Sequence, residues 1–362
     1  MIVYLLRRVI VAIPLLIAVL FVSFVLLYAL PGDPTHALLG MHWTEDAAER
    51  IREAEGLNDP IVVQFGRYLG DVFFEFDLGT NQQKKPVVDE VATRLPATIE
   101  LALAAMLIAL VVGVGAGIVS ALRPRSWRDV GVLTGALAGV SIPIFWLGLL
   151  VQRFFRKGGT FSQWSGTDGM PLGGRLSETS MALIDQKKLE VEAGLRDEFT
   201  STGFYLIDSV FVYCDWSMFV DAISHLALPA LVLSTVPAAF ITRITRTAVG
   251  EQLSQDYTRT ARAKGVGVRG IVFRHVLRNA AIAIVTSAGT MLGYLLGGAV
   301  LTETIFNWPG MGTYMVDAIL KEDIRPLQAG VLVLAVGFIV INLIVDMSYA
   351  VLDPRVRVGE SA

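Results

Sequence analysis

Asp256–Asn279, DYTRTARAKGVGVRGIVFRHVLRN, is a strongly basic stretch set between two apolar runs, Ala222–Thr242 and Ala280–Thr302. Each run is long enough to cross a bilayer, which takes roughly 20 apolar residues at about 1.5 Å of rise each. A polar connection flanked by such runs must leave the hydrocarbon, and its arginines mark the cytoplasmic side. The chain therefore reads as an all-α membrane protein with a candidate docking loop between two of its spans.

Composition agrees. The 362 residues are 54% hydrophobic and 17% charged, and the mean hydropathy of +0.59 is unusual for a soluble domain. The single cysteine, Cys214, forms no internal disulfide, so lipid burial and helix packing must hold the fold. The net charge of -3 carries little meaning by itself, because basic and acidic residues are segregated along the chain.

Working outward from the basic stretch gives six expected spans: Val9–Leu30, Ala97–Leu122, Val130–Gln152, Ala222–Thr242, Ala280–Thr302 and Pro326–Leu352. The first is uncharged from Val9 and lacks a small-residue cleavage site, so it reads as a retained anchor and not a signal peptide. Arg7 and Arg8, then Arg123, Arg125 and Arg128, then the cluster from Arg243 to Arg278, then Arg355 and Arg357, all fall on one side if the spans alternate. Both termini are expected to be cytoplasmic, with two long exported segments.

The chain thus divides into an N-terminal arm and first helix (1–30), an exported segment with short helices (31–96), and the second and third helices (97–152). An exported insertion (153–221), a core with the last three helices (222–352, its basic loop at 248–279) and a cytoplasmic tail (353–362) complete it. In the first exported segment, Glu45–Gly56 is helix-permissive, Asn58-Asp59-Pro60 breaks it, and Val62, Phe65, Tyr68 and Leu69 are spaced like one apolar face. The second opens with a glycine-rich loop from Gly158 to Gly174 and becomes helix-compatible around Glu178–Leu195. Pro14, Pro143, Pro229 and Pro237 fall inside expected spans and predict kinks. Gly113, Gly115 and Gly117, and Gly289, Gly293, Gly297 and Gly298, permit close helix approach.

Within the basic stretch, Tyr257, Ala261, Lys264 and Val268 recur at helical spacing, and Gly265 is placed to stop a short helix or to let another backbone approach closely. Arg259, Arg262, Lys264 and Arg269 can meet carboxylates on a partner and set its register, or face water and anionic headgroups. In the last span, Asn342, Asp346 and Tyr349 share a face near the cytoplasmic end, and an ionisable group there reads as a pathway candidate or as one half of an arginine pair. Glu303 and His225 stand near exported ends, structural or gate-adjacent. No Gly-x-x-x-x-Gly-Lys-Ser/Thr phosphate loop is present, so this chain offers no such ATP site of its own. His36, His42, His225 and His275 lack the spacing of a zinc protease, and no metal or other cofactor is expected in this chain.

Several short stretches then fit one family together. These are Arg259–Gly265 (RTARAKG), Tyr4–Arg8 (YLLRR), Leu30–Pro34 (LPGDP), Asp77–Thr80 (DLGT), Arg94–Leu101 (RLPATIEL), Glu303–Gly312 (ETIFNWPGMG) and Leu352–Arg355 (LDPR). The chain resembles the inner-membrane permeases of the dipeptide, oligopeptide and nickel branch of ABC importers, over nearly its whole length. Two departures stand out. The general EAA pattern opens Glu-Ala-Ala and later carries a proline, where this chain has Arg259-Thr260-Ala261 and Arg278, as is usual in the peptide branch. The second exported segment is longer than in many relatives, so no loop-by-loop role is carried over around Ser162–Tyr213.

The resemblance implies a second related permease, two ABC ATPases carrying ATP and Mg, and an external substrate-binding protein, all at the plasma (inner) membrane, with no nucleic acid. It implies an ATPase-coupling loop comprising Asp256, Tyr257, Arg259, Thr260, Ala261 and Arg262, then Ala263, Lys264, Gly265, Arg269, Arg274 and His275. Peptide is the expected cargo, with nickel chelates or another small solute as the alternative on the same scaffold. An ion-coupled secondary transporter is the competing class; it calls for midplane carboxylates and often an internal repeat, and the span centres here lack both.

Overall fold

The computed structural model of the protein describes residues 2–28, 43–54, 56–167, 169–192 and 201–352. The Leu30–Pro34 motif, His36, His42, the 353–362 tail and the side chain of Tyr349 lie outside the described residues. Among those described, regular structure is helical apart from one isolated bridge between Thr80 and Pro86.

The elements are α1 (Ile2–Tyr28), α2 (Glu45–Ala54), α3 (Ile61–Gly70), α4 (Val87–Leu122), α5 (Trp127–Ser141), α6 (Ile144–Phe155) and α7 (Thr160–Ser165). There follow α8 (Glu178–Glu192), α9 (Tyr205–Phe211), α10 (Trp216–Ser254), α11 (Asp256–Ala263), α12 (Leu277–Ile305), α13 (Met311–Leu320) and α14 (Ile324–Leu352). Wider π turns occupy Asp71–Glu75 and Ile271–Val276.

Among the described residues, four helices are long and apolar enough to cross a membrane: Val87–Leu122, Trp216–Ser254, Val268–Ile305 and Ile324–Ser348. A fifth candidate is a broken one, Trp127–Ser141 and Ile144–Ser165, bent by 100°. The kink expected at Pro143 is therefore a full break: Pro143 has no N–H to continue α5, and it sets the extended start of α6 instead. Pro229 and Pro237, by contrast, lie inside the unbroken α10. In α1 the apolar stretch is Ile10–Val25, shorter than those spans. The outward faces are what lipid requires, with Leu107 and Val111 of α4 65% and 68% exposed.

The chain forms two compact units. One comprises Ile2–Thr98 and Pro309–Ile339. Its core joins Leu16, Leu20 and Phe24 of α1 to Phe65 and Tyr68 of α3 and to Leu332, with Phe65 edge-on to Phe21 at 5.1 Å and to Phe24 at 5.6 Å. The expected apolar face of α3 holds for Phe65 and Tyr68, but Val62 is 70% exposed. Gln64 is buried on that side instead, its amide donating to the carbonyls of Leu57 (2.9 Å) and Asp59 (2.7 Å) and so tying off the break at Pro60.

The other unit comprises Ile99–Trp308 and the segment from Val340. Here α4 and α10 approach closely at two glycines: a β-carbon on Gly113 would lie 2.9 Å from the Ala238 carbonyl oxygen, and one on Gly117 2.8 Å from that of Thr242. The glycine-rich stretch after α6 is tied down as well. Arg175 and Glu100 form a buried ion pair at 2.6 Å; Arg175 also donates to the Gly203 carbonyl at 2.7 Å, and Glu100 accepts the Leu206 N–H at 2.9 Å. The Arg175 guanidinium stacks 3.9 Å from the centre of the Tyr205 ring. Asp221 makes a second tie, accepting from the Ser177 N–H and hydroxyl (2.8 Å each) and the Ser180 hydroxyl (2.7 Å).

Candidate coupling site

The basic loop is carried by α10. Asp215 caps its start, accepting the N–H groups of Ser217 (2.8 Å) and Met218 (3.2 Å). These bonds, with the Ser217 hydroxyl first among them, hold the Asp215 carboxyl below its ordinary range. The helix runs for 39 residues, about 58 Å at ~1.5 Å per residue, whereas the hydrocarbon is only about 30 Å thick. Its far end, beyond Arg243 and Arg246, therefore projects from the membrane and bears α11.

α11 is seated, not loose. Thr258 and Ala261, three residues apart, form its buried face. The Thr258 hydroxyl lies 2.8 Å from the Leu253 carbonyl and 2.6 Å from that of Gln255, to which it donates. Tyr257 donates its hydroxyl to the Gln252 side chain at 2.7 Å. The helix stops at Gly265, whose φ of 79° is left-handed. Its N–H bonds the Arg262 carbonyl (2.9 Å) while the Val266 N–H bonds that of Ala261 (3.1 Å), the paired closure of a Schellman turn. Ala261 then packs in one cluster with Ala121 of α4, Val249 of α10, Ile271 and Val276 of the π turn, and Ala280 of α12.

The opposite face is open. Arg259, Thr260, Arg262, Ala263, Lys264 and Gly265 are exposed, as are Asp256, Arg269 and Arg274, while His275 is half-buried. Nothing lies within 4 Å of where a β-carbon on Gly265 would sit. The expected face of Tyr257, Ala261, Lys264 and Val268 is not what forms: Lys264 points outward, and Val268, beyond the glycine turn, is 60% exposed. With Phe273, 68% exposed, Val268 sets apolar side chains among the arginines, the composition that protein interfaces favour. Phe273 escaped the sequence reading because its neighbours Ile271 and Val272 are as apolar and are buried.

A second anchor was also hidden in the sequence. Asp129 accepts a two-pronged bond from Arg246 of α10, Nε to Oδ1 at 2.6 Å and Nη2 to Oδ2 at 2.8 Å. The same carboxylate accepts the Arg125 N–H at 2.8 Å and the Ser120 hydroxyl. One side chain thus ties the end of α4, the start of α5 and the projecting part of α10. Ser126, which caps α5 and bonds the Asp129 N–H at 3.4 Å, gives a Ser-x-x-Asp signal that reveals the helix start but not its distant partner.

The pathway candidates are not brought together with this loop. Glu303 is wholly buried in α12, Asp346 is 9% exposed in α14, Asn342 one turn earlier is exposed, and each makes contacts of its own. His225 is buried with Nδ1 2.9 Å from the Asp221 carbonyl oxygen, a local helix contact. Among the described residues no group of three or more His, Cys, Asp or Glu could hold a metal ion.

Residues 113–358 match the family described as binding-protein-dependent transport system inner membrane component, and residues 1–102 match the N-terminal module of such membrane components. The chain is 40% identical to the dipeptide transport system permease protein DppB of Alkalihalophilus pseudofirmus, over 99% of this chain and 100% of that protein. It is 40% identical to the di/tripeptide transport system permease protein DppB of Pseudomonas aeruginosa over 97% of each. Against the probable D,D-dipeptide transport system permease protein DdpB of Escherichia coli it is 39% identical over 93% of this chain and 92% of that protein. With matches of that extent joined to a multi-pass helical fold, the chain belongs to the family of inner-membrane components of binding-protein-dependent transport systems.

Proposed function

We propose that this chain is the transmembrane permease subunit of an ABC importer for di- and oligopeptides, and that the Asp256–His275 loop is where an ATPase engages it. The observation that carries the reading is the loop itself, a basic helix locked by a glycine turn at the end of a helix that outruns the bilayer. The names of the relatives support peptide as cargo.

In this reading α1 and the broken α5–α6 segment complete six spans, both termini are cytoplasmic, and the protein resides in the plasma (inner) membrane. A second, related permease lines the pathway with it, an external binding protein delivers substrate to the exported segments, and two ATPases bind and hydrolyse ATP with Mg. ATP-driven movement of an ATPase displaces α11. Because Ala261 is packed into the cluster with α4, α10 and α12, the displacement is passed on to the spans as a rigid-body shift. The Asp129–Arg246 bond passes it to α5. Glu303, Asn342, Asp346 and Tyr349 are assigned to the pathway or its gates.

Uptake of labelled dialanine by a strain lacking the chain, with and without a protonophore, tests this directly. The expected result is uptake restored by the chain and retained for as long as ATP is maintained without a proton gradient. Uptake that collapses with the gradient at constant ATP assigns the chain to ion-coupled transport instead.

A further inference from the structure

α3 and the turn after it present three faces. Phe65, Tyr68 and Val72 are buried in the core they share with α1. Arg67, Asp71 and Glu75, spaced by four, form a polar face that lines a cavity. Val62, Val63, Phe73 and Phe74 make the third face, apolar and exposed, with Phe74 86% open. Among the described residues nothing covers it, and beyond the helix itself no atom lies within 4 Å of where a β-carbon on Gly66 or Gly70 would sit. Four large apolar side chains on one open face call for an apolar neighbour.

Depth identifies that neighbour. Phe24 of α1 packs against Phe65 at 5.6 Å and Tyr68 at 5.9 Å. It stands six residues before Leu30, where the expected first span ends, and so about 9 Å inside that end at ~1.5 Å per residue. Helices that lie in a membrane surface bury their apolar side roughly 5–10 Å into the boundary between headgroups and acyl chains. Phe21, 5.1 Å from Phe65, and Val22 are themselves exposed, so α1 also presents apolar surface outward at that level. The shape of the face favours lipid over a second helix. It crosses from α-helix into a π turn and ends at Phe76, whose φ of 53° is left-handed. Such a broken ridge offers a partner helix no continuous groove, whereas acyl chains conform to it.

We infer that α3 and its turn form an interfacial anchor, laying Val62, Val63, Phe73 and Phe74 among the acyl chains of the exported leaflet while Arg67, Asp71 and Glu75 stay in water. The assignment rests on the six-span reading above. It accounts for the exposure of Val62, and it holds the acidic face of α3 at the membrane surface, turned to the side from which substrate arrives.

Site-directed spin labelling of the full-length chain, assembled with its partners in lipid nanodiscs, tests the assignment. Labels are placed at Val63→Cys and Phe74→Cys in a Cys214→Ser background, because Cys214 is exposed. Oxygen, which concentrates in lipid, should relax both labels several-fold more than a water-soluble nickel chelate does, and a label at Glu75→Cys should show the reverse. Phe73→Ser with Phe74→Ser should raise the access of nickel to the Val63 label several-fold, since the anchor is then lost. Labels open to nickel at 63 and 74, labels closed to both reagents because protein covers them, or a Val63 label unmoved by the paired serines would each overturn the assignment. A label at Val11→Cys, on the exposed side of α1, separates the two readings. Lipid at Val11 with water at Phe74 means that the anchor alone has failed, whereas water at Val11 removes the first span as well.

Discussion

Gly265 concentrates the account in one residue. Its left-handed φ costs a residue with a β-carbon roughly 1–2 kcal/mol that glycine avoids, while asparagine and aspartate tolerate that region better than other side chains do. Because the space above it is open, a side chain there clashes with nothing in this chain and is free to obstruct a docking partner. Gly265→Asn is therefore expected to insert at wild-type abundance yet reduce substrate-stimulated ATPase activity several-fold, and Gly265→Asp to reduce it further by adding a negative charge to a basic surface. Immunoblots of membranes beside ATPase rates would decide it; wild-type coupling in both variants removes Gly265 from the interface. The stop at Gly265 was legible because a glycine following a periodic run has few other uses. The burial of Gln64 in place of Val62 was not, since it depends on two carbonyls freed by the turn at Asn58-Asp59-Pro60.

At the scale of elements, ion pairs between distant segments fix the parts that move. The Asp129 carboxylate takes four donors, so its partner must fit a fork: Arg246→Lys keeps the charge but loses the second prong. Peptide uptake per unit of ATP hydrolysed should fall about tenfold in Arg246→Gln and by less in Arg246→Lys, at unchanged abundance. Equal coupling ratios in both variants and the wild type would show a purely structural tie. Between α4 and the stretch after α7, Arg175→Met leaves Glu100 buried and charged, a loss of about 3–5 kcal/mol, whereas pairing it with Glu100→Leu should restore most of the stability. Thermal melting of the solubilised chain measures this, and a double variant no more stable than the single one contradicts it. Both pairs lie beyond sequence reading for the same reason: Glu100 and Arg175, like Asp129 and Arg246, come from separate elements, and hydropathy carries no information on which ends meet. The break at Pro143 was half legible, a kink being written in the proline but its 100° angle being set by packing.

For the whole molecule, hydropathy carried most of the fold. Four expected spans coincide with helices long enough to cross, and three of these extend well past the apolar runs because polar helix ends continue into water. The basic loop was visible for the same reason, as the one long polar interval between two such runs in the C-terminal half. Its seating was not visible, since Thr258 is polar in sequence and buried in structure.

The central claim is that this loop docks an ATPase, and affinity purification of the tagged chain from its native membrane in mild detergent tests it most directly. The account predicts that two P-loop ATPases and a second permease are recovered with the chain, and that the ATPases alone are lost when Gly265→Asp is carried. Recovery of the wild-type chain by itself, stable and still transporting peptide, would contradict it.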